Sequence, residues 1–227
     1  YRFITNLLYP FLIILIYFRK VINKENKKRF KEKIFSSYFN VKRNENSKLI
    51  WFHAASVGEV KSILPLIKEL NNKNNNIEFL ITTLTLSSGN LVEEKIKIFN
   101  NVKHRFFPLD INHLVKKFIS EWKPNRIIFV DSEIWPNFIH SINKAKIPFA
   151  LVNARMTLKS YSKWLKIKKF SKSLFGTINL CLTSNHESTK YLSELGVSNI
   201  FHFGNLKLIN SSEDEFEDKF KKRFLEN

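Results

Sequence analysis

From residue 49 onward, short apolar runs alternate with longer stretches in which apolar residues recur every three or four positions. A wholly apolar run of about five residues suits a buried strand, whereas a 3.6-residue period gives a helix one buried face. The first run, LIWFH at 49–53, is followed by Val60, Ile63, Leu64, Ile67 and Leu70 on one helical face, and then by IEFLITT at 77–83. Between the last two lies the Asn-Lys tract 71–76, too polar to extend the apolar face, which marks the helix end. Helix 87–97 and strand 103–107 come next, then a helix carrying Ile111, Leu114, Val115, Phe118, Ile119 and Trp122. Strands at 126–131, 149–153, 180–183 and 200–203 alternate with helices at 136–144, 160–175 and 186–195. Such β-α repetition predicts an α/β domain, a Rossmann-like parallel sheet of about seven strands covered by helices.

Ahead of this domain stands FITNLLYPFLIILIYF at 3–18, broken only by Thr5, Asn6 and Pro10. Arg2 precedes it, and Arg19, Lys20 and Lys24 follow, all placed to meet headgroups. A straight span needs roughly 20 residues, so crossing and monotopic insertion are both open. The basic downstream flank, with no small-residue cleavage site, reads as an anchor rather than a secretory signal. The pattern divides the chain into an anchor at 1–22, a basic connector at 23–48, the Rossmann-like domain at 49–209 and the start of a linker at 210–227. In that last segment Phe216, Phe220 and Phe224 recur every fourth residue, as in a short amphipathic helix.

Charge narrows the partners. Lys and Arg number 38 against 20 Asp and Glu, a net charge of +18, which calls for something anionic. Hydrophobic residues make up 44% of the chain, with 22 Phe, so a packed core and an apolar surface are expected as well. A membrane of phosphate headgroups meets both demands. A nucleic-acid binder would instead cluster its cations with exposed aromatics. No G-x-G-x-x-G or Walker sequence occurs among the five glycines, which speaks against a dinucleotide or P-loop enzyme. Cys181 stands alone, so no internal disulfide can form, and the six His have no zinc-like spacing.

Ligands of open α/β sheets bind beyond the carboxyl ends of the strands. After the first strand comes HAASVGE at 53–59, small residues and a glycine leading into a helix whose N–H groups can face an anion. Glu59 falls in the first turn. It either complements the helix dipole, closing a capping box with Ser56, or takes part in chemistry. DSEIWPN at 131–137 sets a second acid, Glu133, beyond another strand, with Pro136 near a helix start. Two carboxylates at one rim suit glycosyl transfer: one removes the acceptor's proton while the other supports positive charge on the sugar. Arg155 and Lys207, also beyond strands, suit a phosphate or a sugar carboxylate.

HAASVGE, DSEIWPN, LVNAR at 151–155 and GNLK at 204–207 stand in an order and approximate spacing that resembles bacterial 3-deoxy-D-manno-octulosonic acid (Kdo) transferases. The likeness extends to the apolar amino terminus, ITTLTLSSG at 81–89, FFPLD at 106–110 and LTSNHES at 182–188, nearly the whole chain. It implies the Rossmann-like amino-terminal domain of an inverting GT-B type glycosyltransferase of lipopolysaccharide biosynthesis, attached to the cytoplasmic face of the inner membrane. This half would receive the lipid A precursor, lipid IVA, and a carboxyl-terminal domain would bind the donor CMP-Kdo. By the same resemblance Glu59 is the proton acceptor, Glu133 and Lys207 stabilise the transition state, and Ser56, Gly58 and Arg155 shape the acceptor or sugar pocket. No metal or cofactor is implied. Only SSEDEFEDKFKKRFLEN follows GNLKLIN, so the chain alone is expected to lack the donor domain and to be inactive. The alternatives are a noncatalytic membrane-bound fragment that binds lipid A precursor and, behind it, a basic nucleic-acid-binding protein.

Overall fold

The computed structural model describes residues 1–44, 46–73 and 76–205; Lys207 and the Phe216, Phe220 and Phe224 pattern lie outside the described residues. Seven strands form one parallel sheet: β1 (Lys48–His53), β2 (Ile77–Thr83), β3 (Val102–Phe106), β4 (Arg126–Val130), β5 (Phe149–Ala154), β6 (Leu180–Thr183) and β7 (Ile200–His202). Their order is β3-β2-β1-β4-β5-β6-β7, so the chain winds outward from β1 to β3 and then returns to lay β4 on the other side of β1. The connections leaving β1 and β4 diverge there, and this reversal is the point at which doubly wound sheets open a ligand crevice.

A parallel sheet must be covered on both faces, and these strands are correspondingly buried along almost their whole length. One face packs under α2 (Val57–Lys73) and α3 (Leu86–Lys95), whose Val60, Ile63, Ile67, Leu70 and Val92 meet Phe52, Phe79 and Ile81. The other face is aromatic. There Trp51 lies 5.0 Å from Phe118, 5.6 Å from Phe129 and 5.7 Å from Phe138, joining the sheet to α4 (Asn112–Trp122) and α5 (Pro136–Lys144). Its indole N–H donates to Thr82 Oγ1 at 2.8 Å, so this large ring is buried with its polar atom satisfied.

The helix expected at 160–175 is instead two, α6 (Leu158–Leu165) and α7 (Lys168–Phe175), followed later by α8 (His186–Glu194). The reason is packing. A continuous helix would hold Trp164 and Phe175 roughly 16 Å apart along its axis. The elbow at Ile167 brings their rings to 5.2 Å, and the Ser171 hydroxyl donates to the Trp164 carbonyl at 2.6 Å.

The apolar amino terminus forms α1 (Arg2–Val21), at 20 residues long and apolar enough to cross a membrane by length and composition. It lies along the domain. The Tyr1 hydroxyl donates to Asp110 at 2.8 Å, Asn137 donates to Thr5 at 3.2 Å, and Tyr9 donates to the Ile34 carbonyl. Farther on, Ile16 is buried against Phe30 and Ile34, and Arg19 pairs with Glu25 at 2.8 Å. Its outer side exposes Phe3, Leu7, Phe11, Ile14 and Phe18, which follow one another at helical spacing as a single stripe. Two short 3-10 turns, Phe30–Lys33 and Ser36–Tyr38, fasten the next segment to the domain through buried Phe30, Ile34 and Phe39.

Candidate active site

The topology places the HAASVGE turn beside the DSEIWPN turn, because β1 and β4 are neighbours although 80 positions separate His53 from Glu133. Ser56 and Glu59 begin α2. The Ser56 hydroxyl donates to Glu59 Oε1 at 2.6 Å, the Ala55 N–H donates to Oε2 at 2.8 Å, and the Glu59 N–H reaches back to Ser56 Oγ at 3.4 Å. The capping arrangement is therefore present, and Glu59 is buried within it. Gly58 occupies the same first turn, half-buried.

Burial raises the Glu59 carboxyl above its ordinary value. The bonds from Ser56 and Ala55 oppose that rise, and the charges of Glu133 and Asp131 add to it. Glu133 behaves in the opposite sense. Burial pushes it upward too, but the hydrogen bond and charge of His53 and the Trp135 N–H outweigh that effect and leave it below its usual range. The two carboxyls at the rim are thus shifted in opposite directions by their surroundings.

His53 is the site residue that the motifs alone did not single out. It is completely buried, its ring stacks on Phe107 at 3.8 Å, and its Nε2 lies 3.2 Å from Glu133 Oε2. A carboxylate only accepts, so Nε2 carries a proton; Nδ1 lies 3.0 Å from the Thr82 hydroxyl and 3.2 Å from the Thr82 carbonyl. The Trp135 indole N–H grips the same Glu133 oxygen at 2.6 Å. The sequence signal was a histidine ending an otherwise apolar strand, where an aliphatic side chain would have served packing equally well.

Two left-handed residues shape the rest of the rim, Asp131 with φ 63° and Asn153 with φ 51°, the side-chain types that tolerate this conformation best after glycine. At Asn153 the pairing of β5 with β6 loses register, so the strand end is bent before Arg155 emerges into solvent. The Ser132 hydroxyl reaches the Arg155 carbonyl at 2.9 Å and joins the β4 and β5 loops. The rim therefore assembles Ser56, Gly58, Glu59, Glu133 and Arg155 from three consecutive strands of the sheet, while Lys207 is outside the described residues. Among the described residues no three His, Cys, Asp or Glu side chains converge as metal ligands would.

The amino-terminal glycosyltransferase profile described as 3-Deoxy-D-manno-octulosonic-acid transferase (kdotransferase) matches residues 28–210. The chain belongs to the Kdo transferase family. A 3-deoxy-D-manno-octulosonic acid transferase of Rickettsia bellii (strain RML369-C) is 34% identical over 210 residues, covering 92% of this chain and 49% of that protein. One of Haemophilus influenzae is 32% identical over 168 residues, 73% of this chain and 39% of that protein. The chain spans about half the length of the curated relatives it matches. Among solved structures, a UDP-N-acetylglucosamine 2-epimerase superposes with a TM-score of 0.50 at 13% identity, over 70% of this chain and 48% of that one, a likeness of fold alone. The Kdo transferase chain thus has the expected α/β, Rossmann-like architecture with an apolar helix before it.

Proposed function

We propose that this chain is the acceptor-binding half of a Kdo transferase that moves Kdo from CMP-Kdo to a lipid A precursor, lipid IVA. The observation that carries the reading is the unequal carboxyl pair at the β1–β4 switch point: buried Glu59, raised above its ordinary value, beside Glu133, held below its own. In this scheme a sugar hydroxyl of the acceptor takes the place of the Ser56 hydroxyl at Glu59 Oε1. Glu59 accepts its proton as the oxygen bonds to the anomeric carbon of Kdo, and the bond from that carbon to the phosphate oxygen of CMP breaks on the opposite side, inverting the centre. The developing positive charge on the sugar is countered by Glu133, which His53 and Trp135 hold in place. CMP leaves with the bonding electrons, received by Lys207 and by helix N-termini, so the scheme includes no divalent ion. Ser56, Gly58 and Arg155 line the acceptor side.

The donor pocket is assigned to the portion of the relatives that the match does not reach. Alpha-1 supplies the attachment to the cytoplasmic face of the inner membrane. Because both of its ends are bonded to the domain, it lies in the interface with its apolar stripe outward rather than crossing. The test is a transfer assay with tetraacyl lipid A precursor and CMP-Kdo, run on this chain alone and on the chain supplied with a carboxyl-terminal donor half. Transfer is expected only in the second sample, and its failure there overturns the catalytic assignment.

A further inference from the structure

A groove of about 600 Å³ opens between the carboxyl-terminal halves of α4 and α5, within the roughly 300–1,000 Å³ span of small-molecule sites. It sits at the far end of these helices from the strand-end rim, because each helix runs back from its loop toward the start of the next strand. Glu59 and Glu133 take no part in its lining. Its border is cationic, with Arg2, Lys116, Lys123, Lys144 and the ring of His140, and no Asp or Glu contributes to the wall. The convergence is real in electrostatic terms: burial first, then the charges of Arg2, Lys144 and Lys116, hold His140 below its ordinary value. Deeper in the groove, Ser141 is more than nine-tenths buried and its hydroxyl has no hydrogen-bond partner. A buried hydroxyl left without a partner is costly, and an oxygen-rich ligand would relieve it. Ile119, Pro124 and Ile147 give the floor an apolar character.

We propose that this groove binds the phosphate headgroup of an anionic glycerophospholipid, with the lysines around the phosphate, Ser141 donating to it, and the glycerol and first methylenes against Ile119 and Ile147. The location favours a lipid over free phosphate. Arg2 on the border belongs to α1, whose exposed apolar stripe would lie on the bilayer, so a headgroup is presented at the groove while its acyl chains remain among their neighbours. The site fixes how the domain is oriented on the membrane, a task separate from holding the sugar acceptor at the rim. It rests on the membrane placement of α1 but uses none of the transferase chemistry, and its test needs no donor.

The experiment measures co-sedimentation of the full chain with vesicles of phosphatidylcholine and with vesicles in which part of it is replaced by phosphatidylglycerol. Lys116 and Lys144 are exposed, so Lys116→Gln with Lys144→Gln should leave the fold intact, as a thermal melt will verify. Lys163→Gln with Lys169→Gln removes the same charge from α6 and α7, away from the groove. A surface lysine near an anionic bilayer contributes on the order of fivefold in binding, so the groove pair should lose at least tenfold on phosphatidylglycerol vesicles and the control pair much less. Ser141→Leu, which fills the groove without changing charge, should lose the phosphatidylglycerol preference and keep the phosphatidylcholine binding that α1 provides. Short-chain soluble phosphatidylglycerol should compete, and inorganic phosphate should not. Equal losses in the two lysine pairs would mean diffuse attraction and overturn the site. Competition by inorganic phosphate as strong as by the lipid would overturn the lipid assignment. Soluble lipid binding that survives while vesicle binding is absent would uphold the groove and refute the placement of α1.

Discussion

Replacing Glu59 by Gln separates the two roles that the geometry allows. The carboxylate accepts from the Ala55 N–H at 2.8 Å and from the Ser56 hydroxyl at 2.6 Å, bonds to a charged group worth about 1.5–3 kcal/mol each against about 0.5–1.5 for neutral ones. Glutamine keeps an oxygen for Ala55, and its amide can donate to Ser56 because a hydroxyl turns to accept. The loss is then about 1 kcal/mol per bond. Removing a buried charge that Glu133 and Asp131 repel offsets part of it. The net destabilisation should stay under about 2 kcal/mol, a fall in Tm of less than about 8 °C for a domain of this size. A missing general base costs far more, on the order of 10²–10⁴ in rate, or about 3–5 kcal/mol of barrier. Transfer of labelled Kdo to the lipid acceptor by the chain supplied with a donor half, assayed well below the melting range, reads the difference. A hundredfold loss of turnover with a modest shift in Tm is expected. A loss under tenfold with the same shift in Tm refutes the reasoning and leaves Glu59 as a cap.

The raised Glu59 carboxyl sets a pH dependence: the base must be ionised, so kcat/KM should fall on acidification at a pH above the ordinary carboxylate range, and Glu59→Gln should abolish that limb. The folded state holds this proton more tightly than the unfolded chain. Its stabilising contribution is therefore fully present below the unfolded value near 4.5 and is lost as pH rises through the folded one, a decline absent from the Gln variant in thermal melts. His53→Gln removes the ring stacked on Phe107 and the N–H aimed at Glu133. Losing that charge-assisted bond should lower kcat by about ten- to a hundredfold and raise the pH at which Glu133 ionises, both read from a pH–rate profile. Asp110→Ala should lower stability by about 1–2 kcal/mol, because its carboxylate accepts from the Asn137 and Phe138 N–H groups at the start of α5. It also breaks the Tyr1 tether, so tryptic cleavage at Arg2 should accelerate.

Much of the fold was legible along the chain. Most of the strands are short, largely apolar and bounded by turn residues, and the one expected at 180–183 is β6 unchanged. Pro136 does begin α5, where its missing N–H is harmless. The break in the 160–175 stretch is not legible in the sequence, because helical periodicity runs straight through Ile167 and nothing local announces that Trp164 must reach Phe175. His53 escaped notice for a similar reason: its role is defined by Glu133, and that neighbour is created by sheet order.

The sequence by itself determined which elements form, their order, and the carboxylates and cations left at strand ends, because hydrophobic period and turn chemistry act over a few residues. Tertiary structure decided that β1 and β4 are neighbours, which sets their two turns side by side, and that α1 lies along the domain with its apolar stripe outward. It also decided which of the two acids is raised above its ordinary value and which is held below it. Desolvation and hydrogen bonding set that choice, and both come from groups far apart in the chain: Glu59 is buried with Glu133 nearby, while Glu133 has the His53 ring and the Trp135 indole to stabilise its charge.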